Sequence, residues 1–405
     1  MANTLKFGNG EWYGKKDTIL AYNDENSNYK PLPFDFSRAL SATVVNKAGL
    51  IETVGSGEPR IDFLGNTKGA LKLEPQRINS IADSEDFSQW SPTGGGVTSN
   101  QTISPDGSLS ADKLFAQTNN GQHRVNFSSS NASGATTFSF FVKSAEYNSV
   151  WGRIGSSTVY FNLENGESYN NTTATTSSMK YYGNGWYRCI ITKEVSISNE
   201  ICRINLTQSY KDSDDWTGDG TSGFYVWGAQ HEVGSYATSY IPTSGSIKTR
   251  VADACNNSGN DQVINSTEGV FYAEVENSSP STSTRGWVLQ SSLNNGSDLI
   301  GIRFNSSQLI NFYLRANSVT TINVNVSNTY NGFIKIALKY KSGENSLWIN
   351  GVEVHSNTTA FSFNNSLSNL GNYDGLGNYG YFNIKDTKLY NTALTDSELQ
   401  KLTTI

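Results

Sequence analysis

The chain of 405 residues is long enough for two or three domains and weakly charged, with 30 Lys and Arg against 36 Asp and Glu and a net charge of -6. This mild acidity, without a Lys/Arg cluster, excludes the footprint of a nucleic-acid binder; no run approaches the about 18 consecutive apolar residues of a membrane span. Aromatics at 12%, 37 Gly and abundant Asn, Ser and Thr suit pleated strands and tight turns, so an all-β fold is predicted.

Residues 1–45 read as an extended N-terminal arm, because LAYNDENSNYKPLPFDF joins an Asn-rich turn region to Pro31 and Pro33, which oppose central strand pairing. Residues 46–75 read as a short β lead-in: residues 42–75 contain ATVVN, a Lys47-Ala48-Gly49 turn, LIETV, PRIDFL and GALKLEP, each run of strand length and apolar or alternating. Over 76–250 short strands alternate with turn signals, as in a sandwich. Phe138, Phe140 and Val142 share a face, Asn165-Gly166 marks a hairpin, Cys202, Ile204 and Leu206 share a face, and Asp219-Gly220 precedes GFYVWGAQHEV.

Periodicity lapses in VADACNNSGNDQ, so 251–263 is predicted as a linker. Residues 264–405 carry the cleanest alternation of the chain. Ile300, Ile302 and Phe304, then Ile310, Phe312 and Leu314, then Ile322, Val324 and Val326, then Ile334, Ile336, Leu338 and Tyr340 describe half-buried antiparallel strands. Asn350-Gly351 inside LWINGVEV is a hairpin signal. The one convincing helix lies in ALTDSELQKL, where Thr395 and Glu398 form a capping box and Leu394 and Leu399 supply an apolar face.

Cys189, Cys202 and Cys255 are too few, and odd in number, for a disulfide framework, and MANTLKFGNG lacks a signal-peptide core. A β protein with an extracellular style of surface but neither export signal nor paired cysteines fits one class. Bacterial virus particles assemble in the cytoplasm and work outside, so a virion location is expected.

Two stretches carry family signals. SEDFSQWSPTGGGVTSNQTISPDGSLSADKL, GNGWYRC and YVWGAQHEVGSYATSYIPTSGSIKTRVAD resemble a jelly-roll module recurrent in tailed-bacteriophage structural proteins and similar to carbohydrate-binding modules. The preceding FDFSRALSATVVNKAGLIETVGSGEPRIDF and LKLEPQRIN look like the lead-in that accompanies it in phage virion proteins. SLWINGVEV and LGNYDGLGNYGYFNIKDTKLYNTALTDSELQKL resemble the laminin-G or concanavalin A-like sandwich. The resemblance implies two antiparallel β-sandwiches, a jelly roll and then a concanavalin A-like domain, on a virion fibre or appendage. Other virion proteins held through the arm, host-surface glycans and a homo-oligomer, a trimer by preference, are the partners it implies.

Sugars are held by aromatic faces that stack on pyranose rings and by Asn and Asp side chains that pair with hydroxyls. Two loops carry that chemistry: Trp216 with Asp214 and Asp215, and Tyr373 and Tyr379 with Asn372, Asp374 and Asn378. Asp212, Asp214 and Asp219 in KDSDDWTGDG also form an oxygen-rich cluster for a calcium ion, although the spacing departs from the twelve-residue calcium loop, and a solvated acidic turn explains it as well. Trp151, Trp186, Trp227 and Trp348 sit on strands and read as packing residues.

No catalytic residue emerges. His123, His231 and His355 stand in unrelated contexts, and Glu274 and Glu276 in YAEVEN depart from the glucanase Glu-x-Asp-x-x-Glu pattern. A non-enzymatic role is expected. A bacterial surface or secreted glycan-binding protein and a carbohydrate-active enzyme stay as alternatives.

Overall fold

The computed structural model describes residues 34–128, 133–170, 172, 175–196, 201–211, 215–277, 285–291, 295–305, 309–327 and 332–405, and the backbone of four short strands before them. Antiparallel strands dominate, and the described α-helix is Asp396–Thr403. The chain divides into two units, one of Met1–Ser41, Val54–Pro75 and Val251–Ile405, the other of Ala42–Thr53 and Gln76–Arg250. Among the described residues no helix is long and apolar enough to cross a membrane.

The C-terminal unit is built on the alternation of its strands. In one sheet Val352–Asn357, Asn345–Ile349, Ile334–Lys341, Glu268–Glu276, Asn383–Tyr390, Ala70–Lys72 and Ile61–Asp62 lie in that order. A five-stranded sheet runs Val319–Val326, Ile310–Ala316, Leu299–Phe304, Arg285–Ser291, Leu367–Gly371. Ile300, Ile302, Phe304, Ile310, Phe312, Leu314, Ile322, Ile336 and Leu338 point from both sheets into one core. Asn350 and Gly351 take φ of 50° and 85°, the left-handed pair of a tight hairpin turn. The helix closes its capping box, with the Glu398 carboxylate accepting from Thr395 N at 2.9 Å. Its Leu399 then packs with Leu394, Trp348 and Tyr272 on the outer side of the larger sheet.

The second unit is a sandwich of two six-stranded sheets. One orders Ser91–Thr93, Arg124–Ser128, Ile201–Leu206, Ser149–Ile154, Ser157–Asn162, Glu167–Asn170; the other Gly95–Ile103, Leu109–Ala116, Gly223–Val233, Thr136–Ser144, Trp186–Lys193, Thr175–Tyr181. Phe138, Phe140, Val142, Cys202, Ile204 and Leu206 meet in its core, as their alternation requires. All three cysteines are buried as free thiols.

Two boundaries differ from the sequence expectation. Residues 251–263 are no linker: Ala254–Asn256 pairs with Asp35–Ser37, and Cys255 lies fully buried in the core. Asp253 is held by long-range charge, accepting from Arg38 Nη1 at 3.1 Å and ion-pairing with Arg60, which also meets Glu74 at 2.6 Å. The lead-in divides, with Ala42–Thr53 joining the jelly-roll unit and Val54–Pro75 the other. Within the arm, Leu5–Phe7 pairs with Asn383–Tyr390 and Asp35–Ser37 with Ala254–Asn256. Polar, turn-rich stretches resemble linkers whenever their partners lie hundreds of residues away. Asp219-Gly220 turns the chain but joins no hairpin, because Trp216–Thr217 pairs with Asn120–Gly121.

Candidate functional site

Between Leu367–Gly371 and Asn383–Tyr390 the chain passes from one sheet of the C-terminal unit to the other, through LGNYDGLGNYGYF. Asp374 organises this loop. Its carboxylate accepts from Leu376 N at 2.8 Å, Asn378 N at 3.0 Å and Asn378 Nδ2 at 2.9 Å, and forms an ion pair with Arg303 Nη2 at 3.3 Å. Both partners are buried, and that burial holds the Arg303 pKa below its ordinary value against the attraction of Asp374. Asn372 is fully buried; its side chain accepts from Cys255 N at 2.9 Å and donates to Gly380 O at 3.0 Å. A Cβ on Gly380 would meet Gly286 O at 2.1 Å, so only glycine seats the loop against that strand.

What the loop presents is aromatic. Tyr373 and Tyr379 face each other across an isolated antiparallel bridge, with ring centroids 4.8 Å apart and planes tilted by 36°. Tyr379 stacks in turn on Tyr381 at 6.4 Å and 16°. Tyr373 and Tyr379 are half-buried and Tyr381 is 9% exposed, so the three neighbouring rings form a strip whose first two members are partly open to solvent and whose third is buried. The structure thus brings together Tyr373 and Tyr379 as the sequence suggested. It turns Asn372 and Asp374 inward, away from a hydroxyl-binding role, with Asn378 spending its amide on Asp374. Tyr381 was missed; its only sequence signal is its i+2 spacing from Tyr379 along an extended segment.

The second predicted site is reorganised. Asp212 and Asp214 lie outside the described residues. Asp215 is exposed, while Trp216 is half-buried against the jelly-roll core. The Trp216 ring stands 4.4 Å from His123 and takes Tyr147 edge-on at 5.5 Å, so it is a wedge rather than a free platform. His123 fixes this arrangement, with Nδ1 2.6 Å from Gly94 O and Nε2 3.0 Å from Trp216 O. Asp219 is spent on its own turn. It accepts from Thr221 N at 2.8 Å, Ser222 N at 2.7 Å and Ser222 Oγ at 2.5 Å, and these bonds hold its pKa far below the usual carboxylate range. Among the described residues no group of three or more His, Cys, Asp or Glu side chains is placed to hold a metal ion.

Residues 256–400 match the family described as the Concanavalin A-like lectin/glucanases superfamily. That stretch forms a concanavalin A-like sandwich. No curated protein matches the chain in sequence. Among solved structures, the CBM40 of the Ruminococcus gnavus IT-sialidase is 16% identical at a TM-score of 0.30, covering 36% of this chain and 93% of its own. Domain 4 of AbnA, a GH43 arabinanase from Geobacillus stearothermophilus, is 15% identical at 0.30, covering 42% and 80%. Mouse laminin alpha1 domains LG4-5 are 8% identical at 0.24, covering 68% and 89%. Likeness this low assigns no activity to the chain.

Proposed function

We propose that this protein is a glycan-binding, non-enzymatic structural component of a bacteriophage virion. The N-terminal segment joins other virion proteins, and the two sandwiches are displayed outward for host adhesion. The observation that carries the glycan reading is the Tyr373–Tyr379–Tyr381 strip. Neighbouring rings on a loop braced by a buried ion pair offer an apolar surface for the C–H faces of consecutive sugar units. The virion reading rests on the phage-like lead-in around residues 34–79 and on thiols that are all free and buried. A homo-oligomer, a trimer by preference, would add avidity to weak single contacts.

A glycan array probed with the full chain tests the binding role. Tyr373→Ala/Tyr379→Ala is expected to weaken a glycan held on this strip about tenfold, at about 0.5–1.5 kcal/mol per lost aromatic face. Trp216→Ala, which removes a wedged ring, is expected to lower thermal stability and leave that binding unchanged. An array blank for the wild-type chain would sink the glycan reading.

A further inference from the structure

The outer face of one jelly-roll sheet carries a second, differently built site. Register places Arg124 opposite Asn205, Asn205 opposite Trp151, Trp151 opposite Tyr160 and Tyr160 opposite Tyr169, a single row across five strands. The neighbouring row holds Asn126, Arg203, Arg153 and Thr158. The alternate residues Val125, Ile204, Val150 and Val159 fill the core, so both rows point away from it.

Such a face would be unremarkable if its polar atoms were satisfied. Asn205 is 0% exposed, yet among the described residues neither its Nδ2 nor its Oδ1 has a hydrogen-bond partner. Trp151, 1% exposed beside it, has an indole N–H equally without one. A buried amide that makes no bond costs free energy that leucine, of nearly the same volume, would not. The aromatic end of the row is more open, with Tyr160 half-buried and Tyr169 45% exposed beneath Lys211 Nζ at 3.9 Å from its ring.

We propose that this row is a saccharide-binding face, in which the Asn205 amide and the Trp151 indole N–H take their partners from a pyranose. A primary amide offers one acceptor and two donors in a plane, which matches two adjacent ring hydroxyls, each able to donate and accept. The Tyr160 and Tyr169 rings then meet the apolar faces of the next sugar unit. Neither Asn205 nor the Trp151 N–H reaches solvent in the free protein, so engagement requires the side chains over them to shift. This site is independent of the Tyr373–Tyr379–Tyr381 strip.

Asn205→Leu in the full chain tests it in two ways. If the amide is kept for a ligand, the variant melts at the same or a higher temperature than wild type. The second readout is the Trp151 indole resonance, assigned with Trp151→Phe. It should shift on titration with gluco-, galacto-, manno- or galacturono-oligosaccharides, persist in Tyr373→Ala/Tyr379→Ala, and need about tenfold more sugar or more in Asn205→Leu. A lower melting temperature for Asn205→Leu would mark a structural or hydrated amide and overturn the proposal. So would a Trp151 resonance that none of these sugars moves.

Discussion

Asp374 and Asn372 illustrate how a residue type suited to one task is taken for another. Both have the chemistry to bind sugar hydroxyls, and both are consumed by the loop that holds Tyr373 and Tyr379. His231 is a similar case, with a measurable consequence. It lies 2% exposed in the jelly-roll unit with Nδ1 2.7 Å from Ser80 Oγ, and burial pushes its pKa down to about 4. The folded ring therefore resists protonation that an unfolded histidine accepts near its ordinary value of 6.5. Between these values the unfolded state binds more protons, so stability should fall as pH drops from about 6.5 to about 4, by about 3 kcal/mol. Urea unfolding across that range, compared with His231→Gln, should show the slope in the parent and its loss in the variant.

At the scale of elements, the segments that look least structured in sequence are the ones tied by buried charge. Arg38, Arg60, Glu74 and Asp253 come from four separate stretches and are nearly or wholly inaccessible. Burial alone would lower the Arg60 pKa, but Asp253 and Glu74 outweigh it and hold it above its ordinary value. Asp253 also accepts from Glu74 N at 2.8 Å, so it ties backbone as well as side chains. Asp253→Ala would leave two buried guanidinium groups short of a counter-charge, a loss expected to cost about 3–5 kcal/mol. Chemical denaturation should register it; a change under about 1 kcal/mol would show the network adds little net stability.

For the whole molecule, the virion proposal makes a prediction that no single residue does. Antibody raised against the chain should decorate purified phage particles in immunogold microscopy, and its position would separate a head fibre from a tail appendage. Label confined to bacterial envelopes would instead favour the bacterial surface protein.

The all-β class, the core faces of Ile300–Phe304 and Ile310–Leu314, the Asn350-Gly351 hairpin and the capped C-terminal helix follow from the sequence by itself. Each depends on contacts within a few residues or on a period-2 pattern, which local order expresses directly. Part of the candidate loop was legible for the same reason, because Tyr-rich, Gly-punctuated segments announce a turn that displays rings. The tertiary structure decided which polar side chains face solvent, which strands share a sheet with residues 35–37 and 254–256, and that Asn205 and Trp151 stand side by side. Those outcomes rest on pairings between residues 50 to more than 200 positions apart, and a sequence lists such partners without saying which will meet.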